Sequence, residues 1–473
     1  APFFIPPEVF FLADFDLCVI GSGPGGQKAA IQAAKLGKSV GLVERMEQVG
    51  GVAIHTGTIP SKALRQAIIE ATGGKDHLRV RASVKSGNLS MVDLLASCQR
   101  IIATEMEIVS VQLRRNGVTL IKGEASFKDQ NTLLVKNGEG HSEIRAESFI
   151  IAVGTEPVRP DHIPFDDECV LTSDDLLHLK RLPESLIVVG GGVIGTEFAS
   201  MFARLGVRVT IVESCQQLLG FLDRQIGEAL QYHLRNRGMT LRFGEGLQEV
   251  IKRESGGKTV VEVKLKSGKR IQADAFLYCI GRQGCTERLN LANAGLKADC
   301  RGRIEVDKNY QTEKSNIYAV GDVIGFPALA STSMNQGRMA SCHLFNQPQH
   351  KLRKFFPFGI YSIPEINMVG HTEEELTEKN IPYETGCAGY KEIARGQILG
   401  DDVGLLKILF HPETREVLGV HIIGTGATEL IHIGQAVMAL DGRLDYFMDS
   451  AFNYPTLAEC YRVAALNGAN KLR

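Results

Sequence analysis

Two stretches of the chain repeat one pattern of apolar and polar positions. Residues 15–44 read FDLCVIGSGPGGQKAAIQAAKLGKSVGLVE, and residues 184–213 read ESLIVVGGGVIGTEFASMFARLGVRVTIVE. Each opens with a short apolar run, breaks at glycines, continues with apolar positions at helical spacing as far as a Leu-Gly, and closes with a second apolar run and a glutamate. Short apolar runs bounded by glycine predict buried strands, and the middle section predicts an amphipathic helix. Further apolar runs, FIIAVGT at 149–155 and FLYCIGR at 276–282, return the chain after an excursion from each stretch. Residues 254–273, with VVEVKLKSGKRIQA, alternate as a hairpin with a Ser-Gly turn, and IYAVGDVIG at 317–325 predicts a strand running into a turn. From about residue 346 the pattern changes: strands are expected near 358–369 and 404–411 and helices near 427–440 and 456–471, without another glycine motif.

The glycines turn this pattern into chemistry. Each stretch holds G-x-G-x-x-G between strand and helix, and Gly21 to Glu44 spans the same 23 positions as Gly190 to Glu213. One such motif is weak; two complete units with equal spacing and a terminal acid indicate two βαβ dinucleotide sites. Gly21 and Gly190 permit the tight turn, Gly23 and Gly192 let the backbone approach a pyrophosphate, and Gly26 and Gly195 let helix pack on strand. The pyrophosphate then lies at the helix N-terminus, and Glu44 and Glu213 are placed to accept from ribose hydroxyls.

Composition excludes more than it assigns. With 473 residues, about three domains are expected. A formal net charge of -1 gives no electrostatic case for nucleic acid or an anionic membrane. No apolar run approaches the ~20 residues of a membrane span. The N-terminal stretch APFFIPPEVFF is short, broken by Pro6 and Pro7, and lacks the basic flank of a signal peptide. The ten cysteines form no CxxC or CxxxxC pair and no zinc-ligand spacing, so reduced thiols in a cytoplasmic protein and no metal are expected.

Two nucleotide units followed by a C-terminal α+β domain resemble the flavoprotein disulfide reductases, from about residue 15 to 473. The resemblance implies an α/β fold of two Rossmann-like domains plus a dimerisation domain: an FAD-binding domain over 1–155 and 285–345, an NAD(P)-binding domain over 156–284, and an interface domain over 346–473 that makes a homodimer. It also carries a departure. The family pattern G-G-x-C-x-x-x-G-C-I-P-S-K falls on 50–62, where Gly50, Gly51, Gly57, Ile59, Pro60, Ser61 and Lys62 match, but the cysteine positions hold Ala53 and Thr58. These side chains form neither a disulfide nor a thiolate. The family's C-terminal His-Pro-Thr-x-x-Glu reads YPTLAE here, with Tyr454 for the histidine and Glu459 retained. Both changes, with FGIYSIPEINMVG at 358–370 and the segment 453–472, look like the soluble pyridine nucleotide transhydrogenases, a subfamily that keeps Thr at the second position but often Cys at the first.

What the resemblance implies is FAD-dependent hydride transfer between nicotinamide nucleotides without a redox-active disulfide. The alternatives are an NADH-dependent reductase of a quinone or other small acceptor, and a catalytically silent FAD-binding scaffold or sensor. By resemblance, Lys62 and Glu197 pair beside the flavin; by itself Lys62 at a helix start reads as solvated. FAD is expected at Gly21, Gly23, Gly26, Glu44, Gly50, Gly51, Lys62, Ala125, Gly154, Asp322 and Ala330, with Asp322 on the ribityl chain and the helix from Ala330 aimed at the ring. NAD(P) is expected at Gly190, Gly192, Gly195, Glu197, Glu213 and Gly281. His55 is either near the flavin face or a packing histidine, and Tyr454 either closes the partner's pocket or fills space. Glu213 favours a free 2′-hydroxyl, and Ser214-Cys215-Gln216 offer no arginine for a 2′-phosphate, so NAD(H) is better supported than NADP(H); Arg208 is nearby in sequence, with its direction open.

Overall fold

The computed structural model describes residues 13–73, 80, 82–83, 89–138, 140–348 and 355–472; the apolar segment 1–11 lies outside them. The chain divides into two compact units, one of 1–67, 92–159 and 281–352, the other of 68–91, 160–280 and 353–473.

The first unit is built on a seven-stranded sheet. Strand Ala13–Ile20 lies parallel between Val40–Glu44 and Gly140–Ile151, with Thr119–Lys122 beyond the former. Thr132–Asn137 and Glu124–Asp129 extend it antiparallel, and Ile317–Ala319 pairs parallel with Gly140–Ile151. Helix Pro24–Lys35 starts with proline in its first turn, where no N–H is needed, and Gly37, at φ 77°, stops it just after Leu36. Helix Ala330–Leu344 packs on it so closely that a Cβ on Gly337 would lie 2.0 Å from the carbonyl oxygen of Gly25. The strand and turn expected over 317–325 are there: Ile317–Ala319 runs into a short 3-10 helix, Gly321–Ile324.

In the second unit a parallel sheet runs in the order Thr240–Arg242, Arg208–Val212, Ser185–Val189, Ala275–Tyr278, Val170–Thr172. Helix Val193–Arg204 crosses between the two central strands and ends before Leu205 and Gly206, at φ 84°, as its counterpart does. The alternating segment forms the antiparallel strands Lys258–Leu265 and Arg270–Ala273, joined to Leu247–Ser255. Residues 355–472 contribute a five-stranded antiparallel sheet under helices Ala427–Ala439 and Glu459–Asn470. Its strands Glu384–Gly389 and Val417–Ile423 were not predicted: the former carries two glycines, and the latter is apolar enough to read as buried helix. Fully buried Lys407 on this sheet donates to both carboxylate oxygens of Asp223, at 2.8 and 2.9 Å. Asp223 also caps helix Arg224–Asn236, so one ion pair ties that helix to the sheet.

Candidate active site

The first glycine turn is shaped by contacts that exclude any side chain. A Cβ on Gly21 would lie 2.5 Å from the carbonyl oxygen of Ala152, and one on Gly26 would lie 2.0 Å from that of Gly21. Gly23 is different: its Cβ direction meets nothing nearer than 4.0 Å, leaving space in front of the helix N-terminus. Helix Pro24–Lys35 has no acid in its first turn and no side-chain cap, so its leading N–H groups face that space. Glu44 closes the turn from behind. Its Oε2 accepts from the Ser22 amide at 2.9 Å and the Ser22 hydroxyl at 2.6 Å, and its Oε1 accepts from the Met46 amide at 2.8 Å. The same Ser22 hydroxyl accepts from the Gly50 amide at 2.9 Å. Acid, glycine turn and the segment with the replaced cysteines are thus joined through one buried serine. Sequence reasoning passed over Ser22 because it occupies a variable position of the motif.

Gly50 and Gly51 take φ of 132° and 61°, and a Cβ on Gly51 would lie 2.7 Å from the Gly23 Cα, so this segment presses against the turn. Ala53 lies in helix Gly51–His55, and Thr58 opens helix Thr58–Thr72. His55 Nε2 lies 3.2 and 3.1 Å from the carbonyl oxygens of Gln48 and Val49. Carbonyls only accept, so Nε2 carries the proton and the ring braces the loop. Lys62 donates to the Ser61 hydroxyl at 3.2 Å and has further contacts.

Elsewhere in this unit Gly154 takes φ 67° with open space at its Cβ direction, and Ala125 is buried on strand Glu124–Asp129. Burial pushes the Asp322 carboxyl above its ordinary range, opposed by the Arg282 charge and the Thr155 hydroxyl. Arg282 in turn donates to the Thr155 hydroxyl at 2.9 Å and carbonyl at 2.7 Å. Helix Ala330–Leu344 has no acid in its first turn and no side-chain cap.

The second turn repeats the first. A Cβ on Gly190 would lie 2.7 Å from the Cys279 carbonyl oxygen, and one on Gly195 would lie 2.0 Å from that of Gly190. Around Gly192 nothing comes within 4 Å. Glu213 Oε2 accepts from the Gly191 amide at 2.5 Å, and Oε1 accepts from the Cys215 amide at 2.8 Å and the Ser214 hydroxyl at 3.0 Å. Partial burial alone would raise its pKa; the donors of Cys215, Gly191 and Ser214 outweigh this and hold it below the usual carboxylate range. Glu197 is buried on helix Val193–Arg204, its Oε1 accepting from the Tyr361 amide at 2.8 Å, and Ser200 accepts from the Ile363 amide at 3.0 Å. Residues 361–363 are therefore pinned to the nucleotide helix, and Gly281, at φ 85°, lies just past the return strand Ala275–Tyr278. Tyr454 is 75% exposed, and Glu459 Oε2 is buried without a hydrogen-bond partner among the described residues.

The residues of both turns fit dinucleotides: each offers open space at a helix N-terminus, between crowded glycines, with a carboxylate at the neighbouring strand end. The pyridine nucleotide-disulphide oxidoreductase model matches residues 15–337, and the dimerisation domain of the same family matches 356–465. The chain belongs to this family. Among relatives, the soluble pyridine nucleotide transhydrogenase of Mycobacterium tuberculosis is 51% identical over 98% of both chains. That of Colwellia psychrerythraea is 47% identical over 97% of this chain and 99% of its own. Among solved structures, the HOCl-induced flavoprotein disulfide reductase RclA from Escherichia coli superposes with a TM-score of 0.86 at 28% identity, covering 95% of this chain and 99% of its own. The expected fold of Rossmann-like nucleotide units with a C-terminal dimerisation domain is what the family has, and the family is one of oxidoreductases. Among the described residues no helix is long and apolar enough to cross a membrane, and no group of three or more His, Cys, Asp or Glu is placed to hold a metal ion.

Proposed function

We propose that this chain is an FAD-dependent enzyme that carries hydride from one nicotinamide nucleotide to another: NADH + NADP⁺ gives NAD⁺ + NADPH, in either direction, with no cysteine pair taking part. The observation that carries the reading is the pair of equivalent glycine turns, each with its own carboxylate, in a chain whose two family cysteine positions hold Ala53 and Thr58. The names of the 51% and 47% identical relatives point the same way.

The chemistry that bound FAD supplies is storage of one hydride between two nicotinamide visits. The chain's residues hold and orient. Gly21, Gly23 and Gly26 receive the FAD pyrophosphate on the N–H groups of helix Pro24–Lys35, and Glu44 meets the adenosine ribose. Gly50, Gly51, Ala125, Gly154 and Asp322 complete the FAD site, and the N-terminus at Ala330 favours negative charge near the ring. Gly190, Gly192, Gly195, Glu213 and Gly281 receive each nicotinamide nucleotide in turn. Lys62 and Glu197 act as a pair at the reacting end, the lysine stabilising negative charge and the glutamate orienting it. His55 positions the loop carrying Ala53, and Tyr454 covers the partner subunit's pocket in a homodimer. The protein works in the cytoplasm.

The test is anaerobic reduction of the purified protein by NADH, followed by thio-NADP⁺. Transfer requires bleaching of the flavin band and its recovery with formation of thio-NADPH. Recovery by a quinone and never by thio-NADP⁺ would replace this reading with an NADH-dependent reductase.

A further inference from the structure

The second glycine turn is walled by a loop as well as closed by its acid. From Glu213 the chain runs through residues 214–222 to Asp223, and on the way it folds back on the turn. The Leu219 amide donates to the Gly191 carbonyl at 3.2 Å, the Leu222 amide donates to the Leu219 carbonyl at 2.9 Å, and Leu218, Leu219 and Leu222 are all buried. Leu219 takes φ 52°, a conformation that a leucine keeps only where its surroundings hold it. One end of the loop is anchored by Glu213, whose carboxylate accepts from Gly191, Ser214 and Cys215. The other end is anchored outside the nucleotide sheet.

That second anchor is Asp223. Its side chain is fully buried, as is that of Lys407, which donates to both its oxygens at 2.8 and 2.9 Å and also to Glu373. The Glu373 amide donates to Asp223 Oδ2 at 3.4 Å, and the Gln225 amide donates to Oδ1 at 3.1 Å. Lys407 lies on strand Leu405–Phe410, in register with His421 of strand Val417–Ile423. Their neighbours Leu406, Ile408, Val420 and Ile422 belong to the core on one face of this sheet, so Lys407 and His421 point from the other face. There Lys407 meets the start of helix Arg224–Asn236. Burial alone would lower the pKa of Lys407; the bonds and charges of Asp223 and Glu373 outweigh this and hold the ammonium above its ordinary value. Desolvation offsets much of the attraction within a fully buried ion pair, so net stability is a weak reason for this one. What the pair does fix is where the loop ends.

We propose that Lys407 is a positioning residue for nicotinamide nucleotide binding: by fixing Asp223 it holds loop 214–222 against Gly191, and with the loop the carboxylate of Glu213. The assignment rests on the reading that the second turn receives this nucleotide. It is tested on the FAD-loaded protein as wild type, as Lys407→Met, and as Lys407→Met combined with Asp223→Asn. The double variant removes both charges yet leaves an acceptor to cap the helix. FAD content, the dissociation constants of 5′-ADP and NADH, and the limiting rate of flavin reduction at saturating NADH are measured. The double variant is expected to keep its FAD and the wild-type limiting rate while binding 5′-ADP and NADH about fivefold more weakly. Lys407→Met alone, which leaves Asp223 and Glu373 side by side without the ammonium, is expected to weaken both further. A double variant with unchanged affinities, or one that loses its FAD or its limiting rate, overturns the assignment; so does a wild type that binds no 5′-ADP. If 5′-ADP binds and weakens as expected while NADH never bleaches the flavin, the transfer reading fails and the role of Lys407 stands.

Discussion

The two glycine turns share their spacing, their crowded glycines and their backing carboxylate, yet differ at the residue after the first glycine. In the first turn it is Ser22, whose hydroxyl joins Glu44 to Gly50, and Glu44 is only 6% exposed. In the second it is Gly191, which offers only its amide, and Glu213 is partly open. A side chain there is also opposed, since a Cβ would lie 2.5 Å from Leu218 Cδ2. The first turn is joined to the segment that follows it through a buried hydroxyl; the second meets its following segment through backbone alone, the Gly191 carbonyl accepting from the Leu219 amide at 3.2 Å. This suits a cofactor that stays and a substrate that leaves.

The sharpest way to separate the two turns is one extra methyl in each. Gly26→Ala and Gly195→Ala each bring a Cβ against a backbone carbonyl that cannot turn aside, at about 1–3 kcal/mol or more. Gly26→Ala should be isolated with little flavin absorbance, its FAD affinity down roughly 10- to 100-fold. Gly195→Ala should keep its colour and show the same loss in NADH affinity. If both lost flavin equally, the division of labour between the turns would be wrong.

A smaller effect is expected at the serine. Ser22→Ala leaves Glu44 and the Gly50 amide each short of a bond, about 1–3 kcal/mol at a buried site. Titration of the apoprotein should show FAD binding weakened about tenfold, with the NADH dissociation constant of reloaded protein unchanged. Glu213→Gln should weaken NADH by about fivefold, the worth of one charge-assisted bond. Because its donors hold Glu213 below the ordinary carboxylate range, NADH affinity in the wild type should show no inflection between pH 6 and 8 arising from this group.

The smallest effect is on acid stability of the second unit. Burial, with help from the Arg237 charge, pushes His233 down to about 4 from an ordinary value of 6.5, against the opposing pull of Asp401 and Asp402. Its folded-state pKa is depressed, so the unfolded chain binds the proton first. The stability from keeping it neutral is complete above pH 6.5 and drains away as pH falls toward 4. Denaturant midpoints should decline across that window, and His233→Gln should flatten the decline; an equal slope in the variant would remove His233 from the account.

Much of this was legible in the chain because the glycine turns are local. Gly26 must lack a side chain on account of Gly21, five residues earlier, and Gly195 on account of Gly190, so spacing alone reports both. The stops after Leu36 and Leu205 were readable for the same reason: Gly37 and Gly206 supply the left-handed backbone there. The strands Glu384–Gly389 and Val417–Ile423 were not, since what makes them strands is pairing with Leu405–Phe410 rather than any signal of their own.

By itself, the order of residues determined two dinucleotide turns, the acid that ends each, and the loss of the cysteine pair at Ala53 and Thr58, all of which depend on side-chain chemistry or on neighbours a few residues away. Only the tertiary structure decided that Ser22 bridges Glu44 to Gly50 and that Tyr361 donates to Glu197. These partners are 22 to 164 residues apart, and no local pattern encodes contacts that only the packing of the folded chain brings together.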